Sequence, residues 1–187
     1  MEVDRSIWKW FHCTSHTYGA WLYGDPRGFR TRHHREHVEG DYKHQPAPGI
    51  YDDELARSRA LLKQGAVVLP PLFRRIVGRA VLEMLQRLTA QVLCVSMSAT
   101  HLHLLAKMPV GPVPRQWVGR AKKHSNFISK ERGWTGKLWA VRGKVLPIAD
   151  RQHQLNTFGY ILRHLGECAW VWDFRNGESP GTAVPGL

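Results

Sequence analysis

The stretch Thr100-His101-Leu102-His103-Leu104-Leu105 constrains the fold of this chain more than any other. Successive side chains of a strand point to opposite faces, so Leu102, Leu104 and Ala106 fall in one row and His101 and His103 on the other side. The apolar row needs a core over it. The two imidazoles then stand about 6.5–7 Å apart along the backbone, presented rigidly in the way a metal ion requires if it is to keep open positions for substrate. In a chain with 11 histidines, a His-x-His arises by chance often enough that its surroundings must decide its meaning.

The surroundings begin with charge. Lys and Arg number 27 against 15 acidic residues, a net charge of +12, which favours a polyanionic partner, nucleic acid first. With 187 residues, 43% of them apolar, the chain suits one domain with a sizeable core. No apolar run is long enough for a membrane span, and Met1-Glu2-Val3-Asp4-Arg5 lacks the apolar core of a signal peptide. Cys13, Cys94 and Cys168 form neither an even disulfide set nor a Cys-x-x-Cys clip, so a reducing cytoplasm is the expected home.

Ile7 to Thr14 is dense in aromatic and β-branched residues and reads as a first, central strand. The glycines and Asp25-Pro26 that follow mark turns, and residues 30–50 form a long basic excursion without periodicity. Arg27 just before it and Arg30, Arg32 and Arg35 within it are candidate phosphate contacts. Within it His33-His34-Arg35-Glu36-His37 has the H-x-x-E-H spacing of inverted zinc proteases. That chemistry needs a stable helix and a distant third ligand, and the flanking Gly28 and Gly40 favour a solvated loop instead.

Residues 52–88 turn helical, with Leu55 and Leu62 in a short first helix, a break at Pro70-Pro71, and a strongly amphipathic second helix. Its apolar stripe runs through Phe73, Ile76, Val77, Ala80, Val81, Met84, Leu85 and Leu88. Gln91–Ser98 reads as a strand joined through Ala99-Thr100 to the histidine strand, an antiparallel pair. After a connector at 109–114, a helix over about 115–132 carries Trp117, Ala121, His124 and Ile128 on one stripe. Arg115, Arg120, Lys122 and Lys123 lie on its other positions as candidate phosphate contacts. Leu138–Val141 and Lys144–Pro147 read as a hairpin around Arg142-Gly143. Asp150 caps a last helix whose apolar stripe is Leu155, Phe158, Ile161, Leu162 and Leu165, with Tyr160 and His164 four apart and away from that stripe.

Met97–Leu105, then Leu138-Trp139, then Tyr160-Ile161-Leu162-Arg163-His164, with Thr17–Leu22 after the first strand, together resemble the single-tyrosine HUH transposases, in particular the REP-associated tyrosine transposase branch. The resemblance spans most of residues 7–165. It implies a ferredoxin-like α+β fold, an antiparallel sheet with helices packed on it. Residues 1–187 would be one such domain, with a basic insertion at about 24–50 and a short tail after about 166. It further implies a divalent metal, Mg²⁺ or Mn²⁺, held by His101 and His103 with His164 in the third ligand's place, and Tyr160 as the nucleophile that nicks single-stranded or hairpin DNA. The expected product is a 5′-phosphotyrosine that a 3′-hydroxyl can later attack. The protein would act as a monomer or homodimer without a membrane. The tail with Trp170, Trp172 and Phe174 has no counterpart in the resemblance.

A rival reading is a non-catalytic single-stranded nucleic-acid binder on the same sheet, with Trp8 and Trp10 as stacking platforms. It leaves Tyr160 and His164 without a role.

Overall fold

The computed structural model describes residues 7–27, 29 and 47–179. In chain order these form β1 (Trp8–Thr17), α1 (Asp52–Ala60), α2 (Pro71–Arg87), β2 (Gln91–Met97), β3 (His101–Pro109), α3 (Val113–Glu131), β4 (Trp139–Pro147), α4 (Arg151–Arg163), a 3-10 turn (His164–Glu167), β5 (Trp170–Asp173) and β6 (Gly177–Glu178). One six-stranded sheet results, ordered β4-β1-β3-β2-β5-β6 with every neighbouring pair antiparallel. Its first four strands and α2 and α3 make the β-α-β-β-α-β arrangement of a ferredoxin-like fold, and β1 is central as its composition suggests.

Period-two patterning decides the two faces. From β1, Phe11, Cys13, Ser15 and Thr17 are buried, and from β3, Leu102, Leu104, Ala106 and Met108. These meet Val77, Val81 and Leu85 of α2 and Trp117, Val118 and Ala121 of α3 in the main core. Proline opens α2 at its first position, where the missing N–H costs nothing. Each fully buried leucine contributes about 1.5–3 kcal/mol. Leu104 is 0% exposed in the middle of that layer, so Leu104→Ala should lower unfolding free energy by about 2–5 kcal/mol in denaturant titration, the transfer loss plus the cavity.

α4 lies on the other face, where Ile161 packs on Cys94 and Leu105. A register shift between Val92 and Cys94 sets Cys94 opposite Leu105, so a single extra residue supplies this second, smaller cluster.

The structure departs from the sequence pattern in four places. The expected hairpin at 138–147 is one strand, β4, which pairs with β1 from Thr17↔Trp139 to Phe11↔Pro147 with an irregularity between Ser15 and Thr17. Gly143 is no turn residue there. A Cβ on it would lie 2.5 Å from Ser15 Oγ and 2.6 Å from the Thr14 carbonyl oxygen, so glycine permits the close approach of the two strands. The first helix ends at Ala60, leaving Leu62 outside it, and α3 starts at Val113, before the expected boundary. The buried face of α3 runs on through Ser125 and Ser129 rather than His124 and Ile128, and Ser125 Oγ accepts from Trp139 Nε1 at 3.0 Å. On α4 the buried positions are Gln154, Thr157 and Ile161, whereas Leu155 and Leu165 of the expected stripe are 45% and 41% exposed.

The tail adds β5 to the edge of β2. Trp170 is fully buried and lies over Gly78 of α2, where a Cβ would stand 2.1 Å from its ring. Arg74 of α2 donates to the Cys168 carbonyl at 2.7 Å, fixing the entry to that strand. No helix among the described residues is long and apolar enough to cross a membrane.

Candidate metal centre and nucleophile

The face of β3 away from the main core carries His101 and His103, their ring centroids 4.9 Å apart and nearly perpendicular. α4 crosses above them and ends in a 3-10 turn whose first residue, His164, turns inward and is buried. Its ring centroid lies 5.3 Å from that of His101 and 4.6 Å from that of His103. One nitrogen from each of the three can be chosen so that all lie within 4.8 Å of one another. Tyr160, one turn before His164 and 40% exposed, places its ring 5.3 Å from His103 and 4.9 Å from His164. The N-cap of α4 is Asp150 as the sequence suggests, accepting from the His153 backbone N–H at 2.8 Å.

On β3, hydrogen-bonding neighbours engage one ring nitrogen of each histidine. Ser98 Oγ donates to the His101 carbonyl and accepts from the backbone N–H groups of Thr100 and His101. Ser98 Oγ also lies 2.8 Å, and Thr100 Oγ1 3.3 Å, from His101 Nδ1, so Nδ1 is the His101 nitrogen that these hydroxyls engage. His103 Nδ1 is likewise occupied, 3.1 Å from Nε2 of His12. At His164, Nδ1 and Nε2 are both buried without a hydrogen-bond partner. Orphaning the nitrogens of a buried imidazole costs free energy, and a bound cation would recover the part owed to the nitrogen that ligates it. Three neutral imidazoles converging in this way fit a divalent ion.

Burial keeps these rings neutral. It pushes His101 down to about 4 and His103 down to about 2, with the neighbouring imidazoles adding to the effect. His12 falls to about 4 through burial, then His153, His164 and Lys144. His164 is also lowered, through burial first, with Glu167 opposing and Arg163 reinforcing the shift. The unfolded chain, with histidines near 6.5, therefore takes up protons that the folded one refuses. Stability of the metal-free protein should be level above about pH 6.5 and fall as pH drops from there toward 4. Thermal melts in chelator across that range check the sign.

The candidate phosphate contacts are dispersed. Arg115, Arg120 and Lys123 are exposed on α3, which packs on the sheet face opposite the histidines. Lys122 is half-buried and donates to the Ala140 carbonyl at 2.7 Å, tying α3 to β4. It lines a groove of about 540 Å³ with Lys123, Asn126, Lys130 and Lys137. Arg27 is clamped by Asp25 and the Ala20 carbonyl and lies 4.6 Å over the Trp21 ring. Trp21 packs at 5.1 Å on His16, itself 6.2 Å from His101. Arg30, Arg32, Arg35 and the His33–His37 motif lie outside the described residues. Trp8 is no open platform: its ring meets Trp117 edge-on at 5.9 Å.

Sequence reasoning missed His12, His16 and Lys144. The two histidines alternate with the buried Phe11, Cys13, Ser15 and Thr17, a signal readable once β1 is extended to Thr17. Lys144 pairs with Thr14 on the histidine face and was hidden by the hairpin reading.

No protein-family model matches the sequence, and no curated protein matches it. Among solved structures, the chain is similar to a REP-associated tyrosine transposase bound to a REP hairpin. The TM-score is 0.45 and the identity 13%, over 89% of this chain and 74% of that one.

Proposed function

We propose that this chain is a metal-dependent enzyme that nicks single-stranded DNA with Tyr160 and transfers the strand through a 5′-phosphotyrosine. The observation that carries the reading is the convergence of three neutral imidazoles beneath an accessible phenol, with both nitrogens of His164 orphaned in the buried interior. Held by His101, His103 and His164, a divalent ion, Mn²⁺ by softness ahead of Mg²⁺, would neutralise charge on the scissile phosphate.

Tyr160 Oη attacks phosphorus, the bond from phosphorus to the 3′-oxygen breaks, and the phenolic proton leaves as the 3′-hydroxyl gains one. A 3′-hydroxyl attacking the phosphotyrosine reverses these bonds and frees the phenol, so the strand is rejoined without an external energy source. A phenol with a pKa near 10 is mostly protonated at neutral pH, which makes charge neutralisation at the phosphate the step the histidines must support. Arg163, whose guanidinium lies 5.9 Å over the Tyr160 ring, and Lys144 add positive charge on this face.

The lysine groove between α3 and β4 suits a DNA backbone continuing around the β4 edge, and the net charge of +12 supplies the salt-dependent part of binding. We read residues 1–187 as one domain working on single-stranded or hairpin DNA in the cytoplasm, as a monomer or homodimer. Incubation with labelled single-stranded DNA and Mn²⁺, followed by a denaturing gel, tests the proposal. A covalent protein–DNA band that vanishes in chelator is expected, and free nicked DNA without any adduct would overturn it.

A further inference from the structure

His12 stands behind His103 on the neighbouring strand, and its role is not exhausted by packing. β1 and β3 pair so that Thr14 faces His103 and His12 faces Leu105. His12 therefore lies one step along the same sheet face, its ring stacked at 5.3 Å on that of His103 and edge-on to Tyr160 at 6.2 Å. The contact that matters is the 3.1 Å separation of His12 Nε2 and His103 Nδ1.

Such a pair of neutral imidazoles shares one proton, and the two ways of placing it differ in consequence. If His12 Nε2 donates, His103 Nδ1 accepts and its proton sits on Nε2, which closes that nitrogen to a cation. If His103 Nδ1 donates, Nε2 is bare. At His101, too, Nδ1 is the nitrogen in contact with a neighbour, 2.8 Å from Ser98 Oγ. The two ligands on β3 would then present the same nitrogen.

We infer that His12 is a positioning residue, accepting the Nδ1 proton of His103 and so holding the His103 ring in the tautomer and orientation that direct Nε2 toward His164 and a divalent cation. This rests on the proposed metal site but concerns a residue outside its ligands. A partner of this kind behind a histidine ligand is worth about 10–100-fold in metal affinity.

Three chains decide it: wild type, His12→Phe, which keeps a flat ring without an acceptor, and His12→Gln, whose side-chain carbonyl can accept. In the metal-free proteins, imidazole ¹⁵N spectra should show His103 protonated at Nδ1 in wild type and in His12→Gln, and shifted to the Nε2 tautomer, wholly or in part, in His12→Phe. Calorimetric titration with Mn²⁺, without DNA, should give binding about 10–100-fold weaker for His12→Phe and within a few-fold of wild type for His12→Gln. His103 carrying its proton on Nε2 in folded wild type overturns the inference, as does wild-type Mn²⁺ affinity in His12→Phe. Should His12→Phe fail to fold, a His12→Gln protein that loses the Nδ1 proton overturns it equally. Wild type that binds no Mn²⁺ sinks the metal site instead, while the metal-free spectra still decide the tautomer.

Discussion

Tyr160→Phe should abolish the covalent DNA adduct and strand cleavage, down to background, while unfolding free energy changes by no more than about 0.5 kcal/mol, as for an exposed substitution. The change removes one hydroxyl and keeps the ring, whose edge-on packing against His103 and His164 needs no oxygen. It deletes the atom that the proposed reaction joins to phosphorus, so no residual catalysis of the kind left by a missing general acid or base is expected. The remaining tyrosines in the described residues have structural work that sets them apart. Tyr18 Oη accepts from the Lys63 backbone N–H at 2.9 Å, so Tyr18→Phe should cost about 1 kcal/mol of stability and leave the adduct intact. Tyr23 and Tyr51 both pack edge-on against Phe29. An adduct that survives in Tyr160→Phe and disappears when Tyr23, Tyr42 or Tyr51 is changed would move the nucleophile away from α4.

The second large effect concerns the imidazoles. His101→Ala or His103→Ala should weaken Mn²⁺ binding by more than the roughly 10–100-fold that a lost partner behind a ligand costs, and remove adduct formation with it. The fold should persist, because Leu102 and Leu104 on the opposite face hold β3 in the main core. Removing buried imidazoles that resist protonation should also make the metal-free protein less sensitive to acid. Calorimetry with Mn²⁺, paired with a melt in chelator, separates loss of metal from loss of fold. Normal metal affinity in either variant would show the pair to be structural.

The parts of the fold that the sequence displays are those set by local periodicity. Alternation at 101–106 and the three-and-four spacing of Val77, Ala80, Val81 and Leu85 are properties of one element each, and they emerge in the structure as read. What stayed hidden depends on distant partners. Two short apolar runs around Arg142-Gly143 look the same whether they fold back on each other or continue as one strand, and the choice is made by the close approach of Ser15 and Thr14 to Gly143. The apolar stripe of α4 was misplaced because its inner face is decided by Cys94, Leu105 and the histidines, which accept Gln154 and Thr157 while Leu155 and Leu165 stay outside. Of the candidate site, the His101/His103 pair and the four-residue spacing of Tyr160 and His164 stand out in the sequence, the resemblance joins them into one site, and the structure brings the three imidazoles together. His12 and His16 do not stand out, since their place beside the triad follows from the pairing of β1 with β3 across about ninety residues of chain.

The short strand β5 has a temporal consequence. His164 closes the triad, yet the turn that carries it is fastened from downstream: the Ala169 N–H donates to the His164 carbonyl, Arg74 grips the carbonyl of Cys168, and Trp170 lodges over Gly78. On the ribosome, where chains grow at about 5–20 residues per second, His101 and His103 emerge several seconds before those anchors exist. Until then the chain holds His101 and His103 without a fixed third side of the triangle. The proposed centre is finished only once residues 169–173 have been made and β5 has joined β2, so a chain that stops short of them lacks an assembled one.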